Sequence, residues 1–124
     1  MLSSHGTSDQ TIPFLGRTES ANSTANATPD IYSWRSMWAS LNGCKQTFIS
    51  LGANPTTVEE PFVNATRYEY ACPGAEHVGF TNGGLGHSWP TTKGLDHSGA
   101  PNNTASYNLT STSIIPFFDA HTLP

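Results

Sequence analysis

The chain has 124 residues, a formal net charge of −4, 35% hydrophobic residues and only 11% charged ones. Its five cations, Arg17, Arg35, Lys45, Arg67 and Lys93, are scattered and form no basic patch, which argues against nucleic acid as a partner. No apolar run approaches the roughly 20 residues of a membrane span, and the length suits one domain with a modest core.

Residues 1–4 read as the end of a strand that enters a Gly-containing loop, HGTSDQTIP. Residues 16–28, GRTESANSTANAT, have no periodicity and read as an exposed loop. A helix is predicted next, with Thr28 as N-cap, Pro29 at the first helical position and Gly43 as the stop. Its apolar stripe is Ile31, Trp34, Trp38 and Leu41, with Met37 beside them. The plain reading of the two tryptophans is core packing.

Residues 45–65 read mostly as loop. RYEYAC (67–72) then alternates like a strand, Pro73-Gly74 turns the chain, and HVGF (77–80) alternates again, which predicts a hairpin. The second strand delivers the chain into TNGGLGHSWP (81–90). Residues 91–108 read as a long polar loop. A terminal helix over 111–121 carries Ile114, Ile115, Phe117 and Phe118, and Pro116 should shorten or kink it. The order is strand, helix, two strands, helix, and the fold class is mixed α/β.

Two features bear on compartment. Cys44 and Cys72 are an even number that could pair. Five Asn-x-Ser/Thr sequons, at Asn22, Asn26, Asn64, Asn102 and Asn108, point to the secretory route, Asn26 being the weakest because Pro29 follows its Thr28. Yet MLSSHGTSDQ has neither a basic n-region nor an apolar stretch of 7–15 residues, so it is no signal peptide.

The stretch most suggestive of chemistry is GGLGHSWP, residues 83–90. Gly83, Gly84 and Gly86 permit unusual backbone angles and close approach before His87, while Trp89 and Pro90 fix the far side. A general base needs such placement, together with a carboxylate partner. Asp9, in the loop after the first strand, could orient the His87 imidazole and stabilise its charged form. The plainer alternatives are a surface histidine on a turn and a turn aspartate. His77, His87 and His97 with Asp96 lack the short paired spacing of a zinc site, so no metal is expected. His5 reads as structural at a strand end, and His121 as solvated near the terminus. Trp89 either lines an acyl pocket or braces the loop.

Taken together, HGTSDQTIPF, then W…NGC, Y…C, GGLGHSWP and IIPFFDAH resemble the C-terminal part of secreted α/β-hydrolase esterases, the feruloyl esterases and the related polyhydroxybutyrate depolymerase-like proteins. The resemblance covers nearly the whole chain. It implies that Asp9, on the pattern H-G-x-x-D, is a triad acid, that His87, on G-x-G-H-x-W-P, is a triad histidine, and that Cys44 and Cys72 form the family's disulfide. The family also needs a nucleophile serine on G-x-S-x-G, in the chain order Ser, Asp, His. No such pentapeptide occurs here. The expectation is therefore the C-terminal portion of an α/β-hydrolase fold spanning 1–124, with the nucleophile half upstream of Met1 and this chain alone inactive. The missing signal peptide fits the same account.

The function so implied is hydrolysis of feruloyl esters of plant cell-wall polysaccharides, in a secreted protein glycosylated at Asn22, Asn64, Asn102 and Asn108. Trp89 would contact substrate, and no cofactor, membrane or obligate protein partner is called for. The alternatives are a polyhydroxybutyrate depolymerase-like or acetylxylan esterase, and a non-catalytic truncated secreted glycoprotein.

Overall fold

Alternating side chains over residues 65–82 build the centre of the sheet. In the computed structural model, which describes residues 1–18, 27–44, 53–94 and 102–121, strands β1 (Leu2–Gly6), β2 (Thr57–Phe62), β3 (Ala65–Cys72) and β4 (Ala75–Asn82) form one sheet in the order β1-β4-β3-β2. β3 and β4 pair antiparallel across Pro73-Gly74, where Gly74 takes a φ of 68°. β1 runs parallel to β4 on its other side, with Leu2 opposite Val78 and Gly6 opposite Asn82. With two helices this is a small mixed α/β domain.

β2 lies where the sequence reads mostly as loop. Its TVEEPF has only Phe62 partly buried, so no buried face imposes a period of two. Pro61 fits because β2 is an edge strand, where a missing N–H costs no ladder bond. Residues 45–52 lie outside the described residues.

One sheet face carries the main apolar core: Ala65, Val78 and Phe80, with Leu2 beside them, meet Tyr107 and Leu109. The segment read as a polar loop thus supplies a buried core residue, Tyr107, and Leu109 follows just after it. Helix α1 (Ile31–Leu41) covers the opposite face. Its N-cap is Asp30 rather than Thr28: the Asp30 carboxylate accepts bonds from the Ser33 hydroxyl (2.6 Å) and amide (2.9 Å). Those two bonds hold its pKa below the usual carboxylate value. Thr28 instead bridges Arg17 in a short antiparallel contact.

The apolar stripe of α1 is not its buried stripe. Ile31, Arg35 and Ala39 face inward, while Trp38 is 39% exposed and Leu41 71%. Under Arg35 the sheet presents Ser3, Gly79 and Thr81, with the Tyr68 ring beside them. Arg35 lies flat over Gly79, where an added Cβ would stand 2.7 Å from its Nε. It donates to Ser3 Oγ (3.2 Å), Thr81 Oγ1 (2.8 Å) and the Phe80 carbonyl, and stacks 5.7 Å from the Tyr68 ring centroid. A guanidinium with each nitrogen satisfied fits this polar, notched surface; an indole would bury the serine and threonine hydroxyls without partners.

A disulfide joins Cys44, just past α1, to Cys72 at the end of β3, and Ala39, Ala53 and Tyr70 cluster around Cys44. At the C-terminal end a π-helical turn (Thr110–Ile114) precedes α2 (Ile115–Ala120), so the helix is short, with Pro116 in its first turn. None of the side chains in α2 is buried. No helix among the described residues is long and apolar enough to cross a membrane.

Candidate functional site: a carboxylate and an imidazole on adjacent strand ends

The parallel pairing of β1 and β4 puts their C-terminal ends side by side, so the loops after them meet. Asp9 sits in the loop after β1 and is buried. Its Oδ1 accepts the backbone N–H groups of Thr11 (2.8 Å) and Ile12 (2.9 Å), the local turn that a short carboxylate favours. Its Oδ2 accepts His87 Nδ1–H at 2.8 Å, across 78 positions of sequence. Burial pushes the Asp9 pKa up. The bond from His87, the backbone N–H of Ile12, the charge of His87 and the N–H of Thr11 outweigh that, so the net shift is downward. An ionised Asp9 accepts only, which fixes the proton of a neutral His87 on Nδ1 and leaves the lone pair on Nε2.

The glycines serve close approach. The backbone of the His87 loop crosses directly over Gly6: a Cβ there would stand 2.5 Å from the Gly86 carbonyl oxygen and closer still to that of Leu85. The two loops are sewn by Thr7 N to Asn82 O, Ser8 N to Leu85 O (both 2.9 Å) and Gly84 N to Thr7 Oγ1 (2.8 Å). Gly84 takes a φ of 76°, and the buried Leu85 anchors the loop between it and His87. A third segment braces the far side: Asn102 O accepts from Gly86 N (2.8 Å), and Pro90 O accepts from Leu109 N (3.0 Å).

His87 is exposed and lines a groove of about 310 Å³ with His5, Asp9, Ile12 and Trp89. Trp89 both borders this groove and braces its loop. It lines the groove, 43% exposed, and its Nε1 donates to Thr110 Oγ1 at 3.0 Å, tying the loop to the start of the C-terminal helix. His5 stands at the end of β1. Its Nδ1 donates to the Gly6 carbonyl (2.9 Å), and its Nε2 lies 3.6 Å from Asp9 Oδ2. It therefore borders the site rather than serving only the strand.

The remaining histidines stand apart. His77 is fully buried against Tyr70 with neither ring nitrogen hydrogen-bonded, and burial, helped by the N-terminal ammonium and Arg35, lowers its pKa to about 4. His121 donates to the Phe117 carbonyl and lies 3.3 Å from Glu76. No group of three or more His, Cys, Asp or Glu among the described residues could hold a metal ion. His97 and Asp96 lie outside the described residues, as do Asn22 and Asn26. Asn64, Asn102 and Asn108 are exposed.

Sequence reasoning missed Asn82 and Tyr107. Asn82 is buried at the last position of β4. Its Nδ2 donates to Ser4 Oγ (2.9 Å) and to the His5 carbonyl (3.3 Å), and its Oδ1 accepts from the Tyr107 hydroxyl at 2.6 Å. The one hint was an asparagine at a strand end immediately before Gly-Gly. Chemically, the arrangement is an imidazole oriented by a tethered carboxylate, fit to take and return a proton at Nε2. No family model, curated protein or solved structure matches this chain.

Proposed function

We propose that the chain carries the acid and the base of a serine-esterase triad, as the C-terminal part of a secreted α/β-hydrolase-type feruloyl esterase. The observation that carries this reading is the 2.8 Å bond from His87 Nδ1 to an Asp9 already fastened by two backbone N–H groups. His87 lines the groove, and no described residue bonds its Nε2. In the proposed reaction a serine Oγ attacks the ester carbonyl and His87 Nε2 takes its proton. The imidazolium, stabilised by Asp9, passes that proton to the departing alcohol. Water then gives a proton to Nε2 as it attacks the acyl-enzyme, releasing the acid and restoring the serine.

The serine comes from polypeptide outside these 124 residues, since no G-x-S-x-G occurs in them. A second feature supports this. β1 is parallel to its neighbour and stands at the sheet edge, beside a groove of about 520 Å³ lined by Leu2, Ile31 and Trp34. Parallel strands are ordinarily covered on both faces and flanked by further strands. The disulfide fits an oxidising compartment. Trp89 offers one flat wall for an aromatic acyl group, and the exposed sequons Asn102 and Asn108 suit a hydrated, carbohydrate-linked substrate better than a polyester surface.

The test joins the chain to its upstream coding sequence and compares kcat/KM on methyl ferulate and on a hydroxybutyrate oligomer. The expected result is His87-dependent turnover that favours the ferulate. Preference for the oligomer would move the assignment to the depolymerase-like enzymes, and an upstream sequence lacking G-x-S-x-G would end the esterase reading.

A further inference from the structure

The Asp9–His87 contact depends on how the two loops are held, and one buried residue, Asn82, bonds to both loops and to the segment that braces them. Asn82 ends β4, and its carbonyl accepts the N–H of Thr7 on the Asp9 side and of Leu85 on the His87 side. Its amide reaches back to Ser4 and His5 at the end of β1. With both donors on Nδ2 so used, Oδ1 is left to accept from Tyr107, which belongs to the third segment. The Tyr107 ring stacks on Phe62 at 4.2 Å and 11°, so the phenol is fixed from behind. Burial raises the phenol pKa to about 12, which keeps its O–H a donor at every pH the protein meets.

We infer that Asn82 and Tyr107 are positioning residues for the Asp9–His87 pair, setting the register between the loop that holds the carboxylate and the loop that holds the imidazole. The inference rests on reading that pair as a proton-transfer unit. Neither residue touches His87. Each acts through the strand ends, and a shift of about 1 Å between the loops is enough to lose the bond and to cost about 10²-fold in rate.

The experiment reads the tautomer of His87 in the 124-residue chain from its ring ¹⁵N shifts at pH 8. The wild type should hold the Nδ1–H tautomer, because an ionised Asp9 accepts that proton. Asp9→Ala, which leaves no group to accept that proton, should lose the preference and gives the reference for full release. Asn82→Ala and Tyr107→Phe should both move His87 toward that reference. Val78→Ala, which removes apolar atoms from the same core as Tyr107, should lower stability and leave the tautomer unchanged. If Asn82→Ala does not fold, Tyr107→Phe decides, since it deletes one oxygen from a ring that remains stacked. Wild-type tautomer in a folded Tyr107→Phe chain overturns the inference, whatever its stability. Ester turnover plays no part in this readout. An inactive completed enzyme would sink the esterase proposal alone, and an unmoved tautomer would sink this one alone.

Discussion

Gly6→Ala is the smallest change expected to disable the site without touching either of its groups. The added methyl would sit 2.5 Å from the Gly86 carbonyl oxygen, with the Leu85 carbonyl nearer. Ordinary contact needs about 3.5 Å, so the His87 loop must withdraw by roughly 1 Å. That loop cannot withdraw freely, because Ser8 N, Thr7 Oγ1 and Asn102 O hold it on two sides. Overpacking against fixed backbone costs about 1–3 kcal/mol, and this contact belongs at the upper end. The 2.8 Å bond to Asp9 would stretch past useful range, which in a completed enzyme lowers kcat about 10²-fold. Urea unfolding measures the first effect and the His87 ring ¹⁵N shifts the second. Gly83→Ala is the control, since its Cβ meets nothing nearer than 3.4 Å. A Gly6→Ala chain with wild-type stability and wild-type His87 shifts would refute the crossing of the two loops.

His77 makes the fold acid-sensitive: its folded pKa of about 4 lies below the ordinary 6.5, so the unfolded chain binds a proton that the folded chain refuses. Stability therefore falls as pH drops from 6.5 to 4, by roughly 3 kcal/mol in all. His77→Phe, compared with wild type by urea unfolding at pH 7 and 4.5, should remove that part of the loss; an equal loss in both chains would contradict it. The Cys44–Cys72 bridge closes a separation of 28 residues and should contribute about 3–4 kcal/mol. A Cys44→Ser, Cys72→Ser chain as stable as wild type would show otherwise. The purified 124-residue chain should not hydrolyse p-nitrophenyl acetate, and robust His87-dependent turnover would show that it holds its own nucleophile. In the completed enzyme Asp9→Asn should lower kcat by about 10⁴-fold, the cost of a base held in the wrong tautomer, with protein stability followed in parallel to separate the two effects.

The elements that the sequence made legible are those whose signal is local. The β3–β4 hairpin shows because alternation and Pro73-Gly74 need no distant partner. The span of α1 was readable, and so was the shortening of the last helix by Pro116. β2 was hidden because an edge strand with an exposed TVEEPF has no buried face to print a period. The stripe of α1 misled for a related reason: Trp34, Trp38 and Leu41 carry the apolar signal, yet the face that the sheet accepts is chosen by Gly79, Ser3 and Thr81, which lie far away in sequence.

The candidate site divides the same way. His87 and Asp9 were visible as residue types on Gly-rich loops, because glycine before a histidine has a local conformational meaning. Their contact follows from the parallel register of β1 and β4, a pairing between segments more than 70 positions apart. Asn82 and Tyr107 carried almost no sequence signal, since a buried amide and a buried phenol become meaningful only through the groups they bond. Sequence by itself determined the local conformations and the chemistry on offer. Tertiary structure alone decided which groups meet, because the long-range bonds that unite them depend on three loops closing on one another at once.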